Sequence, residues 1–370
     1  MKKKKVLNHN FYLTVLVMAI LIAVMGFLQA NSITYSYAIT IIERSCIYAV
    51  AAVSMNLMIG FAGQFSLGTA GFMCLGAYVT GILTMPVEIR DQVYYLYGMA
   101  GWLHDIKLPL VVALLVAGII GAVVAFITGW PVLRLKSDYL AIATLGFSEI
   151  VRAVCGWDGL GSITNASYGI SNIPAFANIF EAVGICAVCI IIMLLMIHSS
   201  YGRAFKAIRD NDIAAEAMGI NLFHTKQLAF VVSSFFATIS GGLLAVFLRS
   251  ATSSTFTVAL TYNILLMVVI GGIGSVSGSI IGAFLITGGQ EWLRFLDQTY
   301  YIGTFQIPLL KTGFRMVVFS LLLMIVVLFW NRGLMGAKEF SWDRIGGFIK
   351  KKTSKRKNVN IEITTEEEKA

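Results

Sequence analysis

An all-α polytopic membrane protein is the fold class this sequence predicts, with about ten transmembrane helices and both termini cytoplasmic. Three observations predict it. Hydrophobic residues make up 58% of the 370-residue chain and charged residues only 13%, where a soluble domain carries about 25% charge. The apolar residues fall in runs close to the ~20 residues that cross a bilayer as a helix. Finally, 20 of the 28 Lys and Arg lie at the two ends and in short loops between apolar runs, the asymmetry that marks cytoplasmic segments. That distribution accounts for the formal charge of +9 without nucleic acid as a partner.

Taken in order, Lys2–Lys5 form a basic cytoplasmic anchor within a short N-terminal segment, 1–10. The first apolar run, 11–30, is too long for the core of a signal peptide and no small-residue cleavage site follows it, so it reads as a retained helix. Span 2 covers 38–59, with Glu43 beside Arg44 near its outer end, and span 3 covers 67–85. Residues 86–107 are polar and aromatic, with Trp102 and several Tyr suited to a membrane interface, and are placed outside. Span 4 is 108–130, and a basic turn with Arg134 and Lys136 returns the chain inside. Span 5, 139–155, is the weakest because it carries Glu149 and Arg152. An outer loop rich in Gly, Asn and Ser, 156–181, leads to span 6 at 182–198. Spans 7 to 10 are 227–248, 260–271, 278–296 and 312–330. Residues 11–330 thus form the membrane domain, and 331–370 a polar, basic cytoplasmic tail expected to be disordered beyond about residue 350.

Between spans 6 and 7 lies the longest polar interruption before the tail, residues 199–226. It carries Arg203, Lys206 and Arg209, then Asn211 and Asp212, which can cap a helix; Asp212 is expected to cap a short helix over 213–218. Gly219 stands where a left-handed residue would stop it. Ala214, Ala215 and Ala217 allow close approach, Ile213 and Met218 offer apolar contacts, and Glu216 is the one charge in that run. Glu216 is expected to pair with a partner's basic group or with Arg203 or Arg209. A helix this short is unstable alone, so the segment predicts docking to another protein.

Two glycine-rich breaks share one pattern. Gly60-x-x-Gly63-x-x-Ser66 separates spans 2 and 3, and Gly271-x-x-Gly274-x-x-Ser277 separates spans 8 and 9. An offset of six spans implies a parallel internal repeat, not an inverted one. Irregular backbone at membrane depth survives where protein or a watery cavity satisfies it, which makes Asn56, Gln64, Ser66 and Ser277 candidates for lining a solute path. Gly274, Gly278 and Gly282, spaced by four, are expected on one closely packed helix face. Glu149 and Arg152, three apart, are expected to pair within the membrane. Catalysis and cofactor chemistry find no support: no P-loop occurs, His9, His104, His198 and His224 have no ligand spacing, and Cys186-x-x-Cys189 lacks a second pair. No metal or cofactor is expected.

Four stretches carry a resemblance. GFAGQFSLGTAGFMCLGAYVTGIL from Gly60, LRLKSDYLAIATLGFSEIVR from Leu133, GRAFKAIRDNDIAAEAMGI from Gly202 followed by KQLAFVVSSFFATISGGLL, and IGGIGSVSGSIIGA from Ile270 resemble, in order, motifs of the permeases of branched-chain amino acid ABC importers. The resemblance covers most of 60–283. It implies a non-enzymatic, multi-pass permease of the inner or plasma membrane, surrounded by lipid. It also implies a second related permease, two cytoplasmic ATPases and an external binding protein that delivers Leu, Ile or Val. The segment 199–226 is similar to the family's coupling loop, with Arg203, Asp212, Ala215, Glu216, Ala217 and Gly219 in that role. Glu216-Ala217-x-Gly219 departs from the general pattern, whose gap between Glu-Ala-Ala and Gly is longer. Urea and short-chain amide permeases resemble these closely. An ion-coupled secondary transporter would call for acidic residues near mid-bilayer, where only Glu149 is a candidate.

Overall fold

Long apolar runs become helices, and glycine-rich stretches interrupt them. In the computed structural model the described residues are Leu16, 19–135 and 137–297, with 301–302, 305–306, 317–321, 324, 328, 333–336 and 339 beyond them. Contacts separate Ser32–Lys338 from a second unit, Met1–Asn31 with Glu339–Ala370. In that second unit one apolar helix is described, α1 (Ala19–Ala30). The basic segment 1–10, more than half of the expected tenth span and most of the tail lie outside the described residues.

In the main unit α2 (Ser36–Asn56) runs into a π-helical turn, Leu57–Phe61, at the first glycine break, and α3 (Thr69–Thr84) leaves from it. The loop expected at 86–107 contains two short helices, α4 (Val87–Val93) and α5 (Gly101–His104). Then come α6 (Leu110–Val132), α7 (Ser137–Cys155), the single turn α8 (Gly161–Thr164) and α9 (Ile179–His198). The polar interruption folds as two helices, α10 (Ser200–Asp210) and α11 (Asp212–Ala217), before α12 (Leu222–Leu248). The series continues through α13 (Val258–Gly271) and α14 (Val276–Trp292). Strand content among the described residues is two tiny antiparallel pairs: β1 (Ile170–Ser171) with β2 (Ser250–Ala251), and β3 (Tyr301–Ile302) with β4 (Phe305–Gln306).

Helix α12 sits at the centre, packed on α3, α6 and α2. Apolar burial gives little drive between helices in lipid, so close packing and interhelical hydrogen bonds hold them. The Ser233 hydroxyl donates to the Ser54 carbonyl at 2.7 Å and that of Ser240 to the Ile47 carbonyl at 2.9 Å, stitching α12 to α2. Helices α6 and α9 turn large apolar side chains outward, among them Ile119, Phe126, Ile191 and Leu195.

Two faces follow from the connections. On one, the glycine breaks, the turn at 133–135 and α10–α11 come together: the Arg209 guanidinium donates to the Gly60 carbonyl, and Arg134 stacks on Trp130 and Phe223. At the other end of α3, the loops at 86–107 and 156–181 bond to each other: the amide N–H of Ala100 donates to Ser162 O and Asn165 Nδ2 to Val93 O. Among the described residues, four helices are long and apolar enough to cross a membrane singly: α2 with its π turn, α6, α9 and α12. Tyr139–Cys155 and Asp158–Thr164, bent by 60°, make a fifth if taken together, while α1, α3 and α13 are apolar but shorter. The glycine breaks bound both shorter helices: α3 begins only after the first break, and α13 ends at Gly271, where the second begins.

The expectation for Gly274, Gly278 and Gly282 needs one correction. Gly278 and Gly282 lie on α14, where an added Cβ would strike the carbonyls of Gly271 and Met267 on α13. Gly274 precedes the helix, at φ +84°, because Ser275 starts α14 by accepting the Gly278 amide.

Candidate functional site

The segment at 199–226 is built by successive caps. Ser199 accepts the Tyr201 amide and starts α10, whose inner face buries Gly202, Phe205 and Ile208. At Asn211 the backbone turns extended, φ −162° and ψ 110°, and the side-chain oxygen accepts the Ala214 amide at 3.0 Å. Asn211, not Asp212 as expected, is therefore the cap of α11. Asp212 occupies the first helical position, where its charge suits the helix dipole, and its carboxylate takes the Lys226 ammonium at 2.6 Å. At the far end the Gly219 amide bonds Glu216 O and that of Ile220 bonds Ala215 O. These two bonds complete a Schellman stop around Gly219 at φ +84°.

The helix thus held is six residues long and buries only Ala215. Ile213 is 81% and Met218 83% exposed, so its two large apolar side chains face solvent. Arg203 donates to Ser200 Oγ, and Arg209 bonds Asp210 and the Gly60 carbonyl. Neither holds Glu216, contrary to one expectation, because both side chains are engaged on α10 and at the first break.

The two glycine breaks meet at Asn56. Its amide nitrogen donates to Ser275 O at 2.9 Å and Ser279 Oγ at 2.7 Å, and its oxygen accepts the Gly274 amide at 2.9 Å. Asn56 is fully buried, so it clamps one break to the other. Ser66 accepts the Gly68 amide, and Ser277 lies 3.2 Å from the Ser275 hydroxyl. Gln64 differs, being 4% exposed with neither amide atom hydrogen-bonded among the described residues. A cavity of about 330 Å3 opens nearby, lined by Gln64, Asp210, Asp212 and Lys226 among others. Glu149 and Arg152 pair as spaced, with Arg152 Nη2 2.7 Å from Glu149 Oε2 and each side chain about a third exposed.

Sequence reasoning missed several polar anchors. The first turn of α3 has no side-chain cap of its own; Thr144 accepts the Leu67 amide just ahead of it and Thr261 that of Ala70. Arg44 on α2 bridges to Glu291 on α14 at 2.9 Å; each has an oppositely charged neighbour in its own segment, Glu43 and Arg294, which hid the pairing. Arg90, fully buried, donates to the carbonyls of Ile82, Met85, Leu103, His104 and Ile106. No group of metal-ligating residues occurs among the described residues, and the five cysteines are buried and free.

Compared with known proteins, residues 37–328 match the family model described as the permease component of the branched-chain amino acid transport system. The high-affinity branched-chain amino acid transport system permease protein LivM of Salmonella typhimurium is 30% identical over 295 residues, 70% of this chain and 64% of that protein. The probable LivM permease protein of Methanocaldococcus jannaschii is 24% identical, covering 79% of this chain and 91% of the relative. The LivH permease protein of Escherichia coli is 26% identical over 79% and 92%. The chain thus spans less than two thirds of the length of the Salmonella relative. No solved structure matches it.

Proposed function

The chain belongs to the permease family of branched-chain amino acid transport systems, and on that premise we propose that it is the membrane subunit of an ATP-binding-cassette importer. In this reading it forms part of the path for Leu, Ile or Val delivered by an external binding protein. It works beside a second related permease, and two cytoplasmic ATPases drive it from the face that carries α10 and α11. About ten spans, both termini cytoplasmic, complete the topology. Residues 1–10 and 331–370 flank a membrane domain at 11–330.

The observation that carries this reading is α11. It is too short to persist alone, yet it is capped at both ends and presents Ile213 and Met218 to solvent. An ATPase surface groove accounts for both features, and a rigid-body shift there would tilt the spans that the segment joins. The repeat reading is supported by the meeting of the two glycine breaks at Asn56. For a solute path Gln64 is the strongest of the four candidates, since its amide is unpartnered while Asn56 is saturated. The test is co-purification. The ATPase subunits should be retained by the unmodified chain and lost from Ile213→Asp/Met218→Asp, while membrane insertion is unchanged. Equal retention by both would remove α11 as the docking element.

A further inference from the structure

Arg209 lies in the last turn of α10, two residues before the Asn211 joint, so it stands between the docking helix and the membrane domain. Its guanidinium reaches out of the polar segment to the Gly60 carbonyl at 2.8 Å. That carbonyl lies inside the π turn that ends α2. A continuing α-helix would satisfy it with the Gln64 amide, but that amide bonds Met58 O instead. The C-terminal end of a helix carries partial negative charge, so a cation is favoured there. The second break reaches the same point: a Cβ built on Gly274 would lie 3.3 Å from Arg209 Nη1, and one on Gly63 would lie 3.0 Å from Arg209 Cγ. Gly63 and Gly274 both have positive φ, +69° and +84°, and neither has a side chain to hold the guanidinium away.

Asn56 ties Gly274 to α2 within one turn of this contact. A displacement of Arg209 therefore bears on the ends of α2 and α13 together. Behind it, α10 is firmly seated through buried Phe205 and Ile208, so the segment moves as a lever and not as a slack loop. The remaining guanidinium donors go to Asp210 Oδ1 at 2.9 and 3.0 Å, which fixes the plane of the group. We propose that Arg209 is the positioning residue that transmits motion of the docked α10–α11 segment to the paired helix breaks. Its loss should uncouple ATP hydrolysis from transport without preventing docking.

This rests on the permease reading, and the experiment separates the two. The full chain is reconstituted with its partner permease, ATPases and binding protein, as unmodified protein, Arg209→Met, Arg209→Lys and Asp210→Asn. The readouts are ATPase subunit retained, ATP hydrolysed, and leucine taken up per ATP. Arg209→Met should retain the ATPase and hydrolyse ATP while uptake per ATP falls by about tenfold or more, the scale of one lost charge-assisted bond. Arg209→Lys, which can still donate to the Gly60 carbonyl, should recover part of the ratio, and Asp210→Asn, which weakens the two bonds that fix the guanidinium plane, should fall between Arg209→Met and the unmodified value. An unchanged ratio in Arg209→Met overturns the proposal. So does loss of ATPase retention in that variant, since Arg209 would then serve docking itself. If the unmodified complex neither retains ATPase nor transports, the permease reading fails and takes this proposal with it.

Discussion

Arg90 offers a stability test whose size can be worked from its contacts. The side chain is wholly buried at the end of α3 away from the glycine breaks, and no carboxylate pairs with it among the described residues. It is held by five backbone carbonyls. Two of them, Ile82 and Met85, end α3, where carbonyls have no intrahelical partner. The other three belong to the stretch 103–106, so one guanidinium fastens that stretch to the helix. Burial pulls the Arg90 pKa down, but a guanidinium stays charged at any physiological pH. Arg90→Met keeps the stem and removes every donor. The carbonyls of His104 and Ile106 are only partly buried and can turn to water, and that of Leu103 keeps the Ile106 amide, whereas the buried carbonyls of Ile82 and Met85 have neither recourse. Two stranded acceptors, each losing a charge-assisted bond of about 1.5–3 kcal/mol, give a loss of about 3–6 kcal/mol. That corresponds to a fall in Tm of roughly 4–8 °C for a chain of this size. All five cysteines are buried, so a thiol-reactive dye in detergent reports unfolding directly. Arg90→Lys, with three donors in place of five, should fall between. A Tm within a degree of the unmodified protein would show that the cluster is not fastened by Arg90.

Three further outcomes follow from the geometry. Gly219→Val should cost about 1–2 kcal/mol at the left-handed position and reduce ATPase retention without affecting insertion, since a Cβ there meets nothing within 4 Å; Gly219→Asn should be tolerated. Asn56→Leu should lower stability by about 1–3 kcal/mol in the same dye assay, because the buried Gly274 amide loses its acceptor. The imidazole of His104, bonded to Asp105 and near Asp91, is held above its ordinary pKa. Its contribution is therefore complete below the ordinary histidine value and is lost as pH rises through the raised one. Limited proteolysis of the 86–107 loop should accelerate across that window, and Asp105→Asn should flatten the dependence.

What could be read from the chain in advance divides by range. The turn-forming chemistry of Gly219 and the i, i+3 pairing of Glu149 with Arg152 are local, and both were legible. The cap of α11 was off by one residue because Asn211 and Asp212 are equally good caps; the extended backbone at Asn211 decided between them. Helix α10 was hidden by its polarity, since only Phe205 and Ile208 on one face mark it as packed. Asn56 bonds residues more than 200 positions away, and Thr261 serves an amide 191 positions off. Nothing in the neighbourhood of either residue signals a partner at that distance. Arg90 stood in a loop expected at the outer membrane interface, where an arginine normally needs no explanation.

The most direct test of the account is leucine uptake into proteoliposomes containing this chain with its partner permease, its ATPases and the binding protein. The account predicts uptake that requires both internal ATP and external binding protein, competed by isoleucine and valine but not by urea or acetamide. Uptake that persists without ATP and follows an imposed ion gradient would contradict it.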